Sequence, residues 1–360
     1  MRRRLLALLR GLGTALLFLA AGLCFAPTVV MPFLDRIYYQ GPPSGHFDGE
    51  RFFNPHGGRA RRGGDRRRGF AGRWASSAER ARWPDQVPVA PSRPPARVEG
   101  EEMRVTWIGH STVLVQTAGL NILTDPIWSR HASPFPPLGP QRVRAPGVRF
   151  KDLPKIDLVL VSHNHYDHMD LPTLRRLWER DQPLIVTSLG NDTILRRAGV
   201  PATAMDWGRK LVVEQDGTAV EAGAEEDPIR YMCAYDVWTC GRRFEVIVER
   251  VHHWGSRWFT DRDRALWSGF TVRLPGGNLF FAGDTGWGDG SWVRKAARHG
   301  PFRLALIPIG AYEPRDFMRA HHVNPDEAVA LFGALNPAIA LGVHWGTFQL
   351  TFLPIRQPWP

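Results

Sequence analysis

Short apolar runs, each closed by a turn residue, recur along the chain from residue 104 onward. Runs of this length that are flanked by glycine, proline or aspartate are typical of buried β-strands. They predict strands over residues 104–108, 112–116, 121–124, 156–161, 184–187, 244–251, 265–273, 278–282 and 338–343. The remaining apolar segments predict helices over residues 172–179, 192–197 and 325–335. Pro172 suits a first helical turn, and Asn324 suits an N-cap.

The order of these elements predicts the architecture. Strands come in two runs, with helices between and after them, which is the order expected when one sheet packs on another and helices cover the outside. We therefore expect the α/β class in its α+β form. The organised domain is predicted over residues 101–360, which is length enough for a substantial core.

The N-terminal hundred residues have a different character. Four arginines, at positions 2, 3, 4 and 10, precede an uncharged stretch over residues 11–34 that is long enough to span a bilayer. Residues 1–36 are therefore predicted to be a membrane anchor, with a cleaved signal segment as the alternative. Residues 37–100 are rich in arginine and proline and predict a linker with local anchor points, because the run over residues 59–68 is too polar to bury a core and the prolines over residues 84–95 favour extended chain.

The net charge of +11 comes almost entirely from arginine, since the chain has lysine only at positions 151, 155, 210 and 295. This excess favours anionic partners, namely phospholipid head groups, phosphorylated substrates or nucleic acid. A solvated basic surface is the alternative. We expect no nucleic-acid partner, because the basic run over residues 59–68 lacks the interleaved aromatics of single-strand binders.

One short loop carries the clearest chemistry. Ser162 to His168, with the sequence SHNHYDH, follows the apolar run that ends at Val161. Histidine and carboxylate together suit zinc and similar divalent ions. His163 and His165 alternate, so both can point the same way, while Asp167 and His168 can face a second point. One loop can thus serve two neighbouring metals.

Three further candidates share this placement at a strand end. His253, Asp284 and His344 each follow a predicted strand. Strand-end loops gather on one edge of a sheet, where a site can be assembled from distant parts of the chain. Any one of the three alone fits a surface or turn residue. Their joint pattern favours a common metal site.

This set resembles the ligand set of the metallo-β-lactamase superfamily, and most closely the branch of N-acylphosphatidylethanolamine-hydrolysing phospholipases D. The resemblance covers about residues 101–350 and implies an αββα sandwich of two mixed sheets, packed face to face with outer helices. It is carried by the segments Trp107–Thr112, Leu123–Trp128, Ser162–His168, His253–Trp254, Leu266–Gly269, Gly283–Gly286, Ile309–Pro314 and His344–Phe348.

The resemblance also implies two zinc ions. His163, His165 and His253 are expected to hold one ion, Asp167, His168 and His344 the other, and Asp284 to bridge them. A water or hydroxide between the metals is the expected nucleophile, and Asp167 is expected to help orient it. His252, adjacent to His253, is the alternative ligand, although the family's His-Trp pair favours His253.

Other positions have expected roles around the metals. His110 and Asp125 resemble groups that orient the ligands, with structural hydrogen bonding as the alternative. His322 matches a catalytic position near the substrate, and its alternative is a helix-entry residue. Tyr312 and Glu313 are expected to line the substrate pocket.

Together these features predict a dizinc phosphodiesterase acting on N-acylphosphatidylethanolamine-type phospholipids. A phospholipid substrate, a membrane surface and a homodimer are the expected partners. The expected location is the bacterial inner membrane, with the catalytic domain on the extracytoplasmic side. Alternatives are a lactone or small phosphorylated-metabolite hydrolase of the same superfamily, an RNA-processing or nucleic-acid-binding protein, and a non-catalytic zinc protein.

Overall fold

A six-stranded mixed sheet forms the first half of the fold. The structure is a computed structural model, and it describes residues 9–22, 38–55, 81–213, 219–222, 244–258 and 260–357. The strands of this sheet lie in chain order: β1 (Met103–Gly109), β2 (Thr112–Thr117), β3 (Leu120–Thr124), β4 (Leu158–Val161), β5 (Leu184–Ser188) and β6 (Thr203–Met205). β1, β2 and β3 pair antiparallel, whereas β3 to β6 pair parallel.

A second mixed sheet is built from seven strands of the described chain in the order β13-β12-β11-β10-β9-β7-β8. They are β7 (Lys210–Val213), β8 (Ala219–Ala222), β9 (Phe244–Glu249), β10 (Gly269–Arg273), β11 (Asn278–Phe281), β12 (Phe302–Pro308) and β13 (Ile339–Val343). β11, β12 and β13 pair parallel, and the other neighbours pair antiparallel.

The two sheets pack face to face, and alternation along each strand explains how. In β4, Leu158 and Leu160 point into a core that they share with Phe270 and Phe281 of the second sheet. Val159 and Val161 of the same strand point the other way, into an outer apolar cluster. Successive side chains of a strand face opposite sides. β4 is apolar throughout because both of its faces are covered, as parallel strands require.

Helices cover both outer faces. The described helices of the domain are α1 (Leu171–Asp181), α2 (Asn191–Arg197), α3 (Ser291–Ala297), α4 (Arg315–Met318) and α5 (Pro325–Leu335), besides a 3-10 turn at Phe150–Asp152. α1 and α2 pack on the first sheet through Leu174, Leu177 and Leu195. α3 and α5 pack on the second sheet, where Trp292 and Leu331 are buried. The αββα sandwich predicted from the sequence is confirmed.

Several elements escaped sequence prediction. β6, β7, β8, β12, α3 and α4 were not predicted, and the predicted strands over 244–251 and 265–273 are shorter in the structure, at Phe244–Glu249 and Gly269–Arg273. β12 lies between two parallel neighbours, so its run FRLALIP is buried on both faces and shows no alternation. Residues 265–268 are buried like a strand but pair only through loop contacts, such as the Ser268 N–H donating to the Ser162 carbonyl.

The N-terminal segments are described in part. Residues 9–22 are helical, and residues 1–8 and 23–37 of the predicted anchor lie outside the described residues. The membrane-spanning helix predicted here is not found, since within the described ranges no helix is long and apolar enough to cross a bilayer. In the predicted linker, Phe47 and Phe52 are buried against the second sheet. Its arginine-rich residues 59–68 lie outside the described residues.

The strand directions bring one edge of each sheet together. β1, β3 and β4 run in one direction in the first sheet, and β9, β11 and β13 share a direction in the second. The loops after these six strands carry all the predicted metal-site residues. Hydrogen bonds join the edges, among them Ser268 N–H to the Ser162 carbonyl (2.9 Å) and His344 N–H to the His110 carbonyl (3.1 Å).

Candidate metal centre

The loop after β4 turns back on itself immediately after its second histidine. The backbone N–H groups of His168 and Met169 both donate to the His165 carbonyl, at 3.1 and 2.9 Å. The Ser162 N–H donates to Oδ1 of Asp125 at 2.7 Å, which ties the start of the loop to the end of β3. The turn separates the loop into two halves, each carrying a pair of candidate ligands.

A first cluster consists of three histidines. His163 Nε2 lies 2.8 Å from His165 Nδ1, and His253 Nε2 lies 3.4 Å from the same atom. His163 and His253 are buried, and His165 is partly buried. The loop after β9 therefore brings His253 to the two histidines of the β4 loop. The three facing nitrogens form a set that could hold one metal ion.

A second cluster lies next to it. Asp167 Oδ2 is 3.3 Å from His168 Nε2, 3.4 Å from His344 Nε2 and 2.8 Å from His110 Nε2. All four side chains are buried. One carboxylate oxygen and three imidazole nitrogens face one another here, which is a second donor set suited to a divalent ion.

Asp284 lies between the two clusters. Its Oδ2 atom is 3.0 Å from His344 Nε2 and 3.2 Å from His168 Nε2. The same oxygen is 3.8 Å from His253 Nε2 and 4.0 Å from His163 Nε2. A single carboxylate thus approaches ligands of both sets, as the bridging role requires.

Buried atoms without partners show that the donor set fits metal ions. Within the described part of the chain, His168 Nε2, His344 Nε2 and Asp284 Oδ1 are buried and have no hydrogen-bond partner. Such groups are costly unless something satisfies them. Metal coordination satisfies imidazole nitrogen and carboxylate oxygen directly, so the site fits a group of this kind.

Neighbouring groups set which histidine nitrogen faces the centre. Asp125 Oδ2 lies 2.6 Å from His168 Nδ1 and also accepts from the Ser162 hydroxyl at 2.6 Å. The His321 carbonyl lies 2.9 Å from His253 Nδ1. Each partner accepts the Nδ1–H and leaves Nε2 free for a metal, which is how ligand-orienting groups act.

Burial and charge set the protonation of the centre. Burial lowers the pKa of His163 and of His253 well below the ordinary value and lowers the pKa of His165 to about 3. These three candidate ligands are therefore neutral at pH 7, as metal coordination requires. Burial also lowers the pKa of His344, but Asp284 and Asp167 outweigh it and raise that pKa to about 9. Metal binding must displace a proton there.

The backbone is strained where the centre is assembled. His110, Asp125 and His344 have φ angles of 55°, 32° and 63°, in the left-handed region that side chains rarely adopt. Each such residue costs on the order of 1–3 kcal/mol, and strain of this kind clusters at functional sites. The surrounding packing holds the ligand-bearing strand ends in these conformations.

The structure also places the remaining predicted residues. His253 joins the first cluster, whereas Nδ1 of His252 lies 3.1 Å from the Ala320 carbonyl. His322 is buried, with Nδ1 3.9 Å from Asp284 Oδ2. Tyr312 is buried and Glu313 accepts from the Arg315 N–H at 2.8 Å, and neither belongs to the His/Asp clusters.

Sequence reasoning missed several supporting residues. The Thr347 hydroxyl accepts a hydrogen bond from the His110 N–H at 2.8 Å. Asn54 of the N-terminal segment donates to the His253 carbonyl at 2.8 Å. The edge of Trp254 contacts the His165 ring at a centroid distance of 4.3 Å. Thr347 and Trp254 lie inside quoted motifs, but their contacts cross between distant loops and leave no local signal.

Comparisons with known proteins agree with this geometry. A family model described as a β-lactamase superfamily domain matches residues 120–345, which include all seven predicted metal ligands. The N-acyl-phosphatidylethanolamine-hydrolyzing phospholipase D 1 of Caenorhabditis elegans is 34% identical over 252 residues, 68% of this chain and 64% of that protein. The mitochondrial enzyme of that name from Saccharomyces cerevisiae is 31% identical over 249 residues, 68% of this chain and 48% of that protein.

A metal-dependent hydrolase of Nitratidesulfovibrio vulgaris is 26% identical over 250 residues, 69% of this chain and 82% of that protein. The match spans less than two thirds of the length of both phospholipases. The family model, in contrast, covers more than half of this chain. The chain belongs to the metallo-β-lactamase superfamily.

Proposed function

We propose that this protein is a two-zinc hydrolase that cleaves a phosphodiester bond in phospholipids of the N-acylphosphatidylethanolamine type. The observation that carries the proposal is the position of Asp284, whose Oδ2 lies within 4.0 Å of ligands in both clusters. Addition of water across the phosphorus–oxygen bond releases phosphatidic acid and an N-acylethanolamine. The names of the nematode and yeast relatives support this substrate.

His163, His165 and His253 would hold one ion, and Asp167, His168 and His344 the other, with Asp284 shared. Two divalent ions supply a water of lowered pKa and a positive field for the charge that develops on the phosphoryl oxygens. Asp167, which accepts from His110 Nε2 at 2.8 Å, orients the attacking water through its carboxylate. His110 thereby keeps that carboxylate in place.

His322 is proposed to bind a substrate oxygen. Its Nδ1 is buried and has no hydrogen-bond partner in the described part of the chain, and it faces Asp284 from 3.9 Å. Burial lowers the pKa of His322 to about 4, so the ring is neutral at pH 7. A neutral ring can still donate one hydrogen bond and accept another. Tyr312 and Glu313, in the loop before α4, remain proposed contacts of the substrate.

Exposed apolar side chains beside the centre favour a lipid over a water-soluble substrate. Phe135 and Leu138 are 54% and 70% exposed on one proline-rich loop. The Phe135 ring contacts that of Trp258, which is 36% exposed on the loop that follows His253. The first loop returns to the site through Ala132, which packs in one cluster with Tyr166. Clustered exposed apolar groups are typical of membrane-contacting surfaces.

The proposed location follows from the same reasoning. We propose that the protein acts at the inner membrane with its catalytic domain on the extracytoplasmic side. The support is the uncharged sequence over residues 11–34 behind a cluster of arginines. The arginine excess suits an anionic lipid surface.

The test compares lipid and soluble substrates. Zinc-loaded protein is incubated with vesicles containing N-acylphosphatidylethanolamine, with a lactone, and with a water-soluble phosphodiester, and products are identified by mass spectrometry. We expect phosphatidic acid and N-acylethanolamine from the vesicles, loss of activity with a chelator, and recovery with zinc. The Asp284→Asn variant is the negative control. Turnover of the lactone with intact lipid would instead establish the alternative hydrolase.

A further inference from the structure

Arg257 contacts the metal-ligand loop from the loop that follows β9. The metal-ligand loop is defined here as residues 162–169. Nη1 of Arg257 donates to the Asn164 carbonyl at 2.9 Å and to the Met169 carbonyl at 2.8 Å. Asn164 lies between His163 and His165 of the first cluster, and Met169 directly follows His168 of the second. One guanidinium nitrogen thus joins the two halves of the metal-ligand loop.

The same guanidinium covers the middle of the loop. Its central carbon lies 3.9 Å from the centroid of the Tyr166 ring, and Tyr166 separates His165 from Asp167. The planar guanidinium can stack on an aromatic face and donate from its edge at the same time, which lysine cannot do. Arg257 therefore restrains three points of the loop: its first half, its middle and its last residue.

A buried carboxylate holds Arg257 in this position. Asp261 is fully buried and accepts the Arg257 N–H at 3.0 Å and the Trp258 N–H at 2.8 Å. It also accepts from the Ser256 hydroxyl at 2.7 Å and from the Tyr38 hydroxyl at 3.0 Å. These hydrogen bonds to Asp261 therefore fix the backbone of the turn that carries Arg257.

The metal-ligand loop needs such a restraint. Its ligands must face two different points within a few ångströms, and its backbone carbonyls at Asn164 and Met169 are in a buried region where an unpaired carbonyl is costly. His253 lies on the same loop as Arg257, the loop that follows β9. The two loops that supply the first cluster are thus also joined to each other by this arginine.

We propose that Arg257 is a positioning residue that fixes the two halves of the metal-ligand loop relative to each other and so sets the affinity of the centre for metal. The inference rests on the metal centre of the proposed function and is independent of its lipid substrate. Groups that orient metal ligands from outside the coordination sphere change metal affinity by about 10- to 100-fold when removed.

The experiment measures zinc affinity of the full chain by competition with a chromophoric chelator. In Arg257→Gln we expect zinc affinity to fall by about tenfold or more at one or both positions. The matched control is Arg176→Gln. Arg176, on α1, also stacks on an aromatic ring, with its guanidinium carbon 3.8 Å from the centroid of the Phe150 ring. It has no described contact with the metal-ligand loop. Thermal unfolding of both metal-free variants is recorded alongside.

Arg257→Lys provides a second variant that retains the charge and a donor but loses the stacking plane. Its zinc affinity is expected between those of the wild type and Arg257→Gln, with metal-free Tm close to the wild type. Unchanged zinc affinity in a folded Arg257→Gln or Arg257→Lys protein would overturn the proposal. So would an affinity loss equal to that of Arg176→Gln. Normal zinc binding without lipid turnover in the wild type contradicts only the substrate.

Discussion

At the scale of single residues, two adjacent histidines differ in whether their side chains face the candidate metal centre. His252 and His253 follow β9 in succession, yet only His253 faces the first cluster, with Nε2 3.4 Å from His165 Nδ1. The Nδ1 atom of His252 points to the Ala320 carbonyl instead. Successive residues in extended backbone point to opposite sides, so a shift of one residue would exchange them.

His253→Gln and His252→Gln therefore form a matched pair. We expect His253→Gln to lose zinc from the first cluster and to lose hydrolysis by at least about 100-fold, because a ligand is removed. His252→Gln is expected to keep its zinc. The zinc content of the two variants is compared by mass spectrometry after exhaustive desalting. Equal zinc content in the two variants would show that His253 is not a ligand.

Gly283 precedes Asp284 and admits no side chain. It has a φ of +59°, and a Cβ atom there would lie 2.7 Å from Ser162 Cβ and 2.9 Å from the Ser268 carbonyl oxygen. The matched position is Gly199, with a φ of +75° and open space around it. The pair separates the cost of left-handed backbone from the cost of crowding.

Gly199→Ala is expected to cost about 1–2 kcal/mol of unfolding free energy, from backbone alone. Gly283→Ala is expected to cost roughly 1–3 kcal/mol more, because the added atom overpacks the joint between the sheets. It should also lower zinc content, since Asp284 shifts with its neighbour. Urea unfolding with zinc analysis measures both. Equal costs at the two positions would contradict the crowding.

At the scale of elements, a local signal explains where α5 begins. In α5, the Asn324 side chain accepts the Glu327 N–H at 2.9 Å, and the Glu327 carboxylate accepts the Asn324 N–H at 3.0 Å. This reciprocal pair is a capping box, which the cap predicted at Asn324 anticipates. Arg315 also pairs with Glu327 at 2.6 Å and donates to the His322 carbonyl at 2.6 Å. The cap therefore supports the loop that carries His322.

Asn324→Ala removes the cap acceptor from the start of α5. We expect a loss of about 1 kcal/mol in unfolding free energy, the usual cost at an N-cap. Zinc content should stay at the wild-type value, because no ligand lies on this helix. Chemical denaturation and metal analysis provide the two readouts. Asn324→Ser, which retains an acceptor, is expected to recover most of the loss.

At the scale of the whole molecule, the metal centre joins the two sheets. Its candidate ligands come from the loop after β4 in the first sheet and from the loops after β9, β11 and β13 in the second. The shared core between the sheets is apolar and holds them together without metal. Bound metal adds a second connection at one edge, and ligands that bind only the folded state stabilise it by mass action.

Removal of metal should therefore lower the unfolding temperature of the whole domain. Free zinc at a thousandfold excess over Kd stabilises by about 4 kcal/mol, so a chelator should lower Tm by several degrees. Differential scanning calorimetry with and without chelator measures the change. In Asp284→Asn the chelator should have a smaller effect. A wild-type Tm that is insensitive to chelator would contradict metal bridging of the sheets.

Local patterns in the sequence are enough to predict several strands and the candidate metal-binding loop. Alternating or continuous apolar runs predict β2, β3, β4 and β11, because burial on one or both faces dictates those patterns. The spacing in Ser162–His168 predicts a two-metal loop, because ligand chemistry depends on residue type over a few positions. The short motifs within residues 101–350 that resemble the family predict the superfamily, and the family model confirms it.

Which distant residues meet depends on how the two sheets pack. Contacts between separate loops place His253, and not His252, in the first cluster. Such contacts also bring Asp284 within 3.0 to 4.0 Å of both clusters. They likewise join Arg257 to Asn164 and Met169. Such contacts depend on strand direction and sheet packing, which are set by long-range burial. β12 escaped prediction for the same reason, since its environment comes entirely from neighbours distant in sequence.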